Sequence, residues 1–199
     1  VIARHPTFAT YALSGAFSFA GLFTYVAGSP IIFMENFYLS ANVYSAIFAM
    51  LAVGFIGGSQ LNVQLLKRYE SQALFVRVLT LQVITGILFA VGTYLGWYGL
   101  IGTLILFFIF LACSGITYPN AAALSLSPFT KNAGSAAAML GFVQLGIGAF
   151  ISTFISASES HERFPIIAIL AITSTLGYCI LLFGRKKANE YASVPESAL

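Results

Sequence analysis

Six apolar stretches, each long enough to cross a bilayer, dominate this sequence and limit what it can fold into. We place them at approximately 8–34, 42–66, 73–96, 100–126, 132–156 and 163–184. A bilayer core about 30 Å thick is crossed by about 20 apolar helical residues. Because lipid cannot pair with backbone polar groups, the spans are predicted to be α-helices. The predicted fold class is therefore all-α, a polytopic membrane protein with six transmembrane helices.

The composition excludes a soluble protein. Hydrophobic residues make up 59% of the 199 residues and charged residues only 8%, against roughly 25% charged residues in soluble domains. The connections between spans are short, so residues 1–199 form a single six-span unit without room for a separate soluble domain. Cys113 and Cys179 lie inside apolar stretches, which favours buried thiols over a disulfide or a metal site. No metal and no cofactor is predicted.

The basic residues predict an orientation. Six spans leave both chain ends on one side, and that side holds eight of the nine basic residues. They are Arg4, Lys67, Arg68, Arg77, Lys131, Arg185, Lys186 and Lys187, while Arg163 is alone on the other side. Since short loops rich in Lys and Arg are retained in the cytoplasm, both termini are predicted to be cytoplasmic. Glu35, Glu159 and Glu162 then fall outside.

No acidic residue lies in the middle of a predicted span. The chain contains no Asp, and Glu35, Glu70, Glu159 and Glu162 fall at span ends or in loops. Carriers coupled to protons or sodium usually keep an ionisable group inside the membrane, so such a group is not expected in this chain. His5 and His161 are also peripheral, which removes intramembrane protease and histidine-relay chemistry. The chain is not expected to be an enzyme.

Neutral polar residues follow one face of the first span. Tyr11, Ser14, Ser18, Tyr25 and Ser29 recur at helical spacing. Such a face is expected to avoid lipid. It is equally compatible with hydrogen bonds between helices and with the wall of an aqueous or drug-binding cavity.

Small residues at helical spacing predict close helix packing. The fifth span, "NAGSAAAMLGFVQLGIGAFIS", carries a stripe of Ala and Gly, and the second span repeats the pattern. The predicted packing residues are Gly54, Gly58, Ala137, Gly141 and Gly148. Gln144 lies off the stripe and is the polar exception in the fifth span.

The stretch "SGITYPNAAALSL" places a proline inside the fourth span. Pro119 removes one backbone hydrogen bond and clashes with the preceding turn, so a kink is predicted between Gly115 and Pro119. Lipid tolerates such a break only where other groups pair with the freed carbonyls. Tyr118 and Asn120 are suited to that role. The bend is interpreted either as structural or as a hinge facing a cavity.

Three stretches together resemble a known transporter family. "YVAGSPIIFMENFYLS", "FAMLAVGFIGGSQLN" and "YPNAAALSLSPFTKNAGSAAAMLGFVQLGIGAFIS" are similar to the C-terminal half of the bicyclomycin and chloramphenicol resistance (Bcr/CflA) drug:proton antiporters, within the major facilitator superfamily. The resemblance extends from about Pro6 to Gly184. It implies that these spans are the last six of twelve. It also implies a missing N-terminal half, small hydrophobic drugs and protons as partners, and a bacterial inner membrane.

The resemblance also assigns sides to the spans. It implies that the first, second, fourth and fifth spans line a substrate cavity near the midplane, while the third and sixth lie outward. The cavity candidates are Tyr25, Ser29, Tyr118, Asn120 and Gln144. The family's cytoplasmic loop motif survives only as "GGSQLNVQLLKRYE", with Asn62 where an acid is expected. The proton-carrying acid would lie in the absent half.

Two other interpretations of the whole chain remain open. It could be a non-transporting six-helix fragment or scaffold that associates through its small-residue stripes. It could also be a six-span carrier that works as a homodimer. The identity of the substrate is not specified by the sequence.

Overall fold

Six long helices form the structure, and the all-α class is confirmed. The computed structural model describes residues 2–157 and 162–192, with the backbone alone for Arg4 and residues 186–192. The helices are α1 Pro6–Pro30, α2 Ala41–Leu65, α3 Ser71–Tyr94, α4 Leu100–Leu126, α5 Ala133–Ala157 and α6 Arg163–Ala192. All six are long and apolar enough to cross a membrane. Glu159 and His161, predicted to lie outside the spans, are not among the described residues.

The helix ends differ from the expected span limits where backbone geometry overrides hydropathy. Pro6 begins α1, a position where its missing N–H has no helical partner to lose. Beyond Pro30 the chain continues as a wider π-helical segment, Ile31–Asn36, which extends the first span to Asn36. At the other end of the chain, α6 runs to Ala192, past the apolar stretch that ends near residue 184.

A glycine ends α3 at a defined residue. Gly96 has a φ of +70°, in the left-handed region that a residue without a Cβ occupies at little cost. The Trp97 N–H donates to Gly92 O at 2.8 Å, and the Gly96 N–H donates to Thr93 O at 3.1 Å. These two bonds are the Schellman arrangement, which pairs carbonyls that the helix end leaves open.

The helices pack as a row of four with two helices behind it. The row runs α5, α1, α4, α2, because α1 packs against both α5 and α4, and α4 also packs against α2. Behind the row, α6 packs on α1, α3 packs on α4, and α3 and α6 contact each other. Exchanging α1 with α4, α2 with α5 and α3 with α6 leaves this set of contacts unchanged. The two consecutive three-helix units, α1–α3 and α4–α6, thus occupy equivalent positions in the bundle, an arrangement that inverted repeats of transporters also have.

Backbone contact without intervening side chains sets the α2–α4 crossing. A Cβ added to Gly58 would meet the backbone of Ala112, and one added to Gly115 would meet the backbone of Phe55. A Cβ on Gly54 would lie 2.9 Å from the Phe108 ring. Small residues let helices approach closely in lipid, where dispersion and hydrogen bonds replace the hydrophobic effect as the source of association.

An aromatic cluster around Phe107 fills the half of the bundle away from the 66–70 loop. The Phe107 ring meets Phe89 of α3 edge-on, with centroids 4.8 Å apart. It also lies 5.5 Å from Tyr25 and 5.9 Å from Phe33. Aromatic pairs of this kind contribute about 0.5–1.5 kcal/mol each beyond burial. The cluster therefore joins α3 and α4 to α1 and to the π-helical segment that follows it.

Candidate functional site

A hydrogen-bonded network of neutral side chains lies at the centre of the bundle. Gln82 of α3 accepts a 2.7 Å bond from Ser18 Oγ of α1 at its Oε1 atom. Its Nε2 atom donates to Ser18 O at 3.1 Å and to Ser114 Oγ of α4 at 2.9 Å. Ser18 Oγ also lies 2.8 Å from Thr117 Oγ1. Three helices are therefore joined through one buried amide.

Sequence reasoning had not identified Gln82, Ser114 or Thr117. All three are fully or almost fully buried, and both N–H groups of the Gln82 amide have acceptors, as a buried amide requires. The available signal was a single Gln in the middle of the apolar run "LTLQVITG". In the structure, α3 turns the Gln82 side chain into the bundle, towards α1 and α4.

A second polar network lies nearer the end that carries Lys67, Arg68 and Lys131, called the basic end here. Asn120 Nδ2 donates to Asn62 Oδ1 at 2.6 Å, and its Oδ1 accepts from Ser71 Oγ at 2.7 Å. Asn120 is 1% exposed. This predicted cavity residue is thus placed between α2, α3 and α4, inside the six-helix bundle.

The same amide also contacts the backbone near Pro119. Asn120 Nδ2 lies 2.7 Å from Ile116 O and donates to it. The carbonyl that Pro119 leaves without its usual helical donor is that of Gly115, four residues earlier. Asn120 therefore pairs with the neighbouring carbonyl, while α4 continues through Pro119 to Leu126.

Tyr25 and Ser29 hold α1 against α2 at the end of the bundle opposite the basic end. Tyr25 Oη donates to Phe48 O at 3.4 Å, and its ring stacks on Phe48 at 5.3 Å. Ser29 Oγ and Tyr44 Oη are hydrogen-bonded at 3.0 Å. Both predicted cavity residues are buried. Their hydrogen bonds between helices favour the packing interpretation of the polar face on α1.

Tyr118 is the cavity candidate that remains exposed, with 36% of its surface accessible. The centroid of its ring lies 4.3 Å from that of Phe19 in α1. The Phe19 ring in turn contacts Phe23, also in α1, and Phe55 in α2. We call Phe23, Phe19, Tyr118 and Phe55 the aromatic row. Its ring contacts come from α1, α2 and α4, and none of those described comes from α3 or α6. The aromatic row therefore combines ring surface with the hydroxyl group of Tyr118.

Gln144 occupies the face of α5 that packs on α1. The buried residues of α5 follow a four-residue step through Ala136, Leu140, Gln144 and Gly148, and a Cβ on Gly148 would meet the Phe23 ring. Gln144 is 4% exposed, and its Nε2 atom has no hydrogen-bond partner among the described residues. It is the least satisfied of the five cavity candidates.

Two predicted packing residues of α5, Ala137 and Gly141, lie off the face that is buried against α1. Ala137 is exposed, and a Cβ added to Gly141 would meet nothing within 4 Å. The reason is a one-residue offset, because the face buried against α1 is that of Ala136 and Leu140. Of the predicted stripe, Gly148 makes the close contact with α1.

Open glycines within helices occur on α2 and α5 alone in the described part of the chain. They are Gly57, Gly134, Gly141 and Gly146, each with nothing within 4 Å of an added Cβ. These helices are also the least covered, with 22% and 28% of their most apolar windows buried, against 50% for α1, α3 and α4. Both ends of the four-helix row therefore carry open glycines on the helices that the described residues cover least.

The described residues offer no group of three or more His, Cys, Asp or Glu side chains that could hold a metal ion. Cys113 and Cys179 are both free thiols. The buried polar side chains in the described spans are Ser, Thr, Asn and Gln. Such a set can bind and orient a ligand by hydrogen bonds, but it carries no charge at neutral pH.

Comparison with known proteins identifies transporter relatives. The chain is 27% identical over 190 residues to the uncharacterized MFS-type transporter YdgK of Bacillus subtilis, covering 92% of this chain and 45% of that protein. It is 29% identical to the multidrug resistance protein MdtL of a Shewanella species, over 89% of this chain and 45% of the relative. A bicyclomycin resistance protein homologue of Haemophilus influenzae is 23% identical, over 86% and 42%.

These relatives confirm the resemblance to major facilitator transporters that the sequence motifs indicated. The chain spans about half the length of the curated relatives it matches. No family model matches the chain. No solved structure matches it either.

Proposed function

We propose that the chain is one six-helix half of a twelve-helix major facilitator transporter that exports hydrophobic drugs in exchange for protons. Two relatives carry drug-resistance names, and each is matched over somewhat less than half its length. A half-length match to a transporter built of two six-helix halves is what such a half would give.

The four open glycines on α2 and α5 carry the proposal. A glycine exposed to lipid contributes nothing to packing, whereas a glycine in a helix interface allows close approach. Their restriction to the two ends of the four-helix row supports a second six-helix unit seated across that row. The aromatic row and Tyr118 would then face the second unit across a cavity of the apolar and aromatic kind that binds drugs.

The proton site is assigned to the other half. The described spans of this chain bury no carboxylate and no histidine, and a coupled carrier needs an ionisable group in the membrane. The same proposal includes localisation in a bacterial inner membrane, which the family resemblance implies. The position of the basic end in the cytoplasm is supported by the distribution of basic residues.

Everted membrane vesicles holding the protein as it is encoded test this function. Adding bicyclomycin or another hydrophobic drug to energised vesicles should release protons, and Tyr118→Ala should reduce that release severalfold at unchanged protein level. Tyr38→Ala, in the exposed α1–α2 loop, is the matched control and should transport normally. Drug addition that moves no protons would contradict the proposal.

The homodimer interpretation uses the same surface, since two copies could also meet through α2 and α5. Purified protein distinguishes the two, because the molecular mass of the complex gives the number of copies of this chain it contains. A twelve-helix complex that contains one copy of this chain supports the proposal that the chain is one half of the transporter. Two copies would support the homodimer and contradict the proposal.

A further inference from the structure

A cavity of about 350 Å³ opens at the end of the bundle opposite the basic end. It is lined by Asn36, Thr93, Tyr94, Glu162, Arg163 and Phe164. These residues come from the end of the first span, the end of α3 and the start of α6. The cavity therefore lies at the membrane boundary, away from the aromatic row and from both polar networks.

Charges of both signs occupy this cavity side by side. The Arg163 guanidinium is fixed by a 3.3 Å bond from Nη1 to Tyr98 O and by the Phe37 ring, 5.2 Å away. That bond uses one of its five N–H donors, so the planar group retains donors for an oxyanion. Glu162, next to it, is exposed to the cavity. The pair is complementary to a ligand that carries an anion and a cation together.

An unpartnered hydroxyl independently indicates a ligand. Thr93 is only 7% exposed, and its Oγ1 atom has no hydrogen-bond partner among the described residues. A buried hydroxyl without a partner destabilises the folded protein, because it has given up its hydrogen bond to water. Because Thr93 lines the cavity, a polar group bound there would supply the missing partner.

The residues around the cavity are of the types found at the membrane–water interface. Tyr94 and Trp97 are largely exposed beside it, and these residue types concentrate at the membrane interface. A second, apolar groove of about 260 Å³ lies further along α6, lined by Ala171, Ile172, Thr175 and Leu176. Phe164, Ala171 and Thr175 are spaced at seven and four residues, so they lie on one side of α6. The groove lies about 12 Å deeper than the cavity at 1.5 Å per residue.

From this combination we propose that the cavity binds the headgroup of a phospholipid carrying both a phosphate and a primary ammonium, as phosphatidylethanolamine does. Arg163 and Thr93 hold the phosphate, Glu162 holds the ammonium, and one acyl chain lies in the groove on α6. The proposal depends on the chain being in a membrane and not on what it transports. Failure of drug transport therefore leaves it intact, and its own failure leaves the transport proposal intact.

The test uses the protein as it is encoded, purified in detergent and stripped of lipid. The measurement is the rise in thermal unfolding temperature on titration with phosphatidylethanolamine, phosphatidylglycerol or inorganic phosphate. Phosphatidylethanolamine should bind most tightly. Arg163→Gln should weaken its apparent affinity at least fivefold, and Glu162→Gln should weaken it at least threefold while leaving phosphatidylglycerol unaffected. Lys131→Gln makes the same charge change at the opposite end and should bind as the parent does.

Two further arms keep the result unambiguous. If Arg163→Gln does not fold, Thr175→Phe fills the apolar groove without touching the charges and should reduce lipid affinity severalfold. Inorganic phosphate should not reproduce the shift. If Arg163→Gln and Lys131→Gln bound phosphatidylethanolamine equally well, the proposed headgroup site at Arg163 would be wrong. An equal shift with inorganic phosphate would overturn the lipid as its source.

Discussion

Asn120 Nδ2 donates a 2.6 Å hydrogen bond to Asn62 Oδ1, joining α4 to α2 near the basic end of the bundle. Asn62, in the second span, is the residue where the family resemblance implies an acid. Ser71, the first residue of α3, donates a hydrogen bond to Asn120 Oδ1 and so connects a third helix. Two neutral amides and one hydroxyl thus connect three helices at a position where the resemblance implies an acid.

Replacing Asn120 with Leu should lower the free energy of unfolding by about 1–3 kcal/mol. Asn62 and Ser71 would lose their partner, and interhelical hydrogen bonds in membranes contribute about 0.6 kcal/mol on average and up to about 1.7. Denaturant titration in detergent measures the change, with Asn42→Leu in the exposed first turn of α2 as the control. The double variant Asn62→Leu/Asn120→Leu should cost less than the sum of the single changes. Additive losses would show that the bond contributes little.

Thiol labelling should separate Asn120 from Tyr118. A cysteine replacing Tyr118 should react with a membrane-impermeant maleimide and be protected by drug, because that side chain is partly exposed on the aromatic row. A cysteine replacing Asn120 should stay unreactive, since the site is 1% exposed. Drug-protected labelling at Asn120 would instead restore it as a cavity residue.

Gln82→Leu should destabilise the bundle by about 1–3 kcal/mol, because Ser18 and Ser114 would be left buried without their partner. Gln60→Leu removes the same amide from an exposed position on α2 and should change stability by less than about 0.5 kcal/mol. Thermal unfolding in detergent is the measurement. Equal unfolding temperatures for the two variants would contradict a stabilising role for the central network.

Adjacent glycines give a matched test of helix packing. Gly58→Ala places a methyl group against the Ala112 backbone and should cost about 1–3 kcal/mol. Gly57→Ala adds the same methyl group where nothing within these six helices lies within 4 Å, so the stability of the six-helix unit should hold or rise slightly through helix propensity. A larger loss at Gly57 than at Gly58 would mean that α2 is rotated from its described position.

Bulk at Gly141 tests the proposed second half. Within the described half Gly141→Leu meets open space, so the six helices should fold as before. In the assembled transporter the same change should reduce drug export and the yield of the complete complex, because the α5 surface would be obstructed. Phe150→Trp adds bulk at an exposed position of α5 about 180° around the helix from Gly141, and it is the control. Normal export by Gly141→Leu would place this surface in lipid.

Reporter fusions test the orientation. Fusions after Lys67 and Lys131 should report cytoplasm, and those after Glu35 and Trp97 should report the outside, because eight of the nine basic residues favour one side. Fusions after Ser158 and Lys187 are expected to report outside and cytoplasm, respectively. A cytoplasmic signal after Ser158 would contradict the six-span topology.

Hydropathy and motif spacing were sufficient to predict the number of helices and the fold class, because each span must satisfy its own backbone in lipid. They were not sufficient to predict which face of a helix meets which neighbour. Ala137 and Gly141 have the residue types of a packing stripe, yet the α5 face that is buried lies one residue away. Gln82 had no repeating pattern around it, so its contacts with Ser18 and Ser114 needed the tertiary arrangement. Asn120 was singled out as a cavity candidate, but its side-chain partners could not be predicted, because they lie 49 and 58 residues away in sequence.

The neutrality of the buried networks has an electrical consequence. Moving one elementary charge through the full membrane potential involves about 2.3 kcal/mol per 100 mV. The buried polar side chains of the described spans are all uncharged, so tilting or sliding these helices past each other transfers no buried side-chain charge through the field. The membrane voltage therefore performs almost no work on the interior of this six-helix unit. Any voltage sensitivity of a transport cycle would have to come from charges on the ligand or on another part of the assembly.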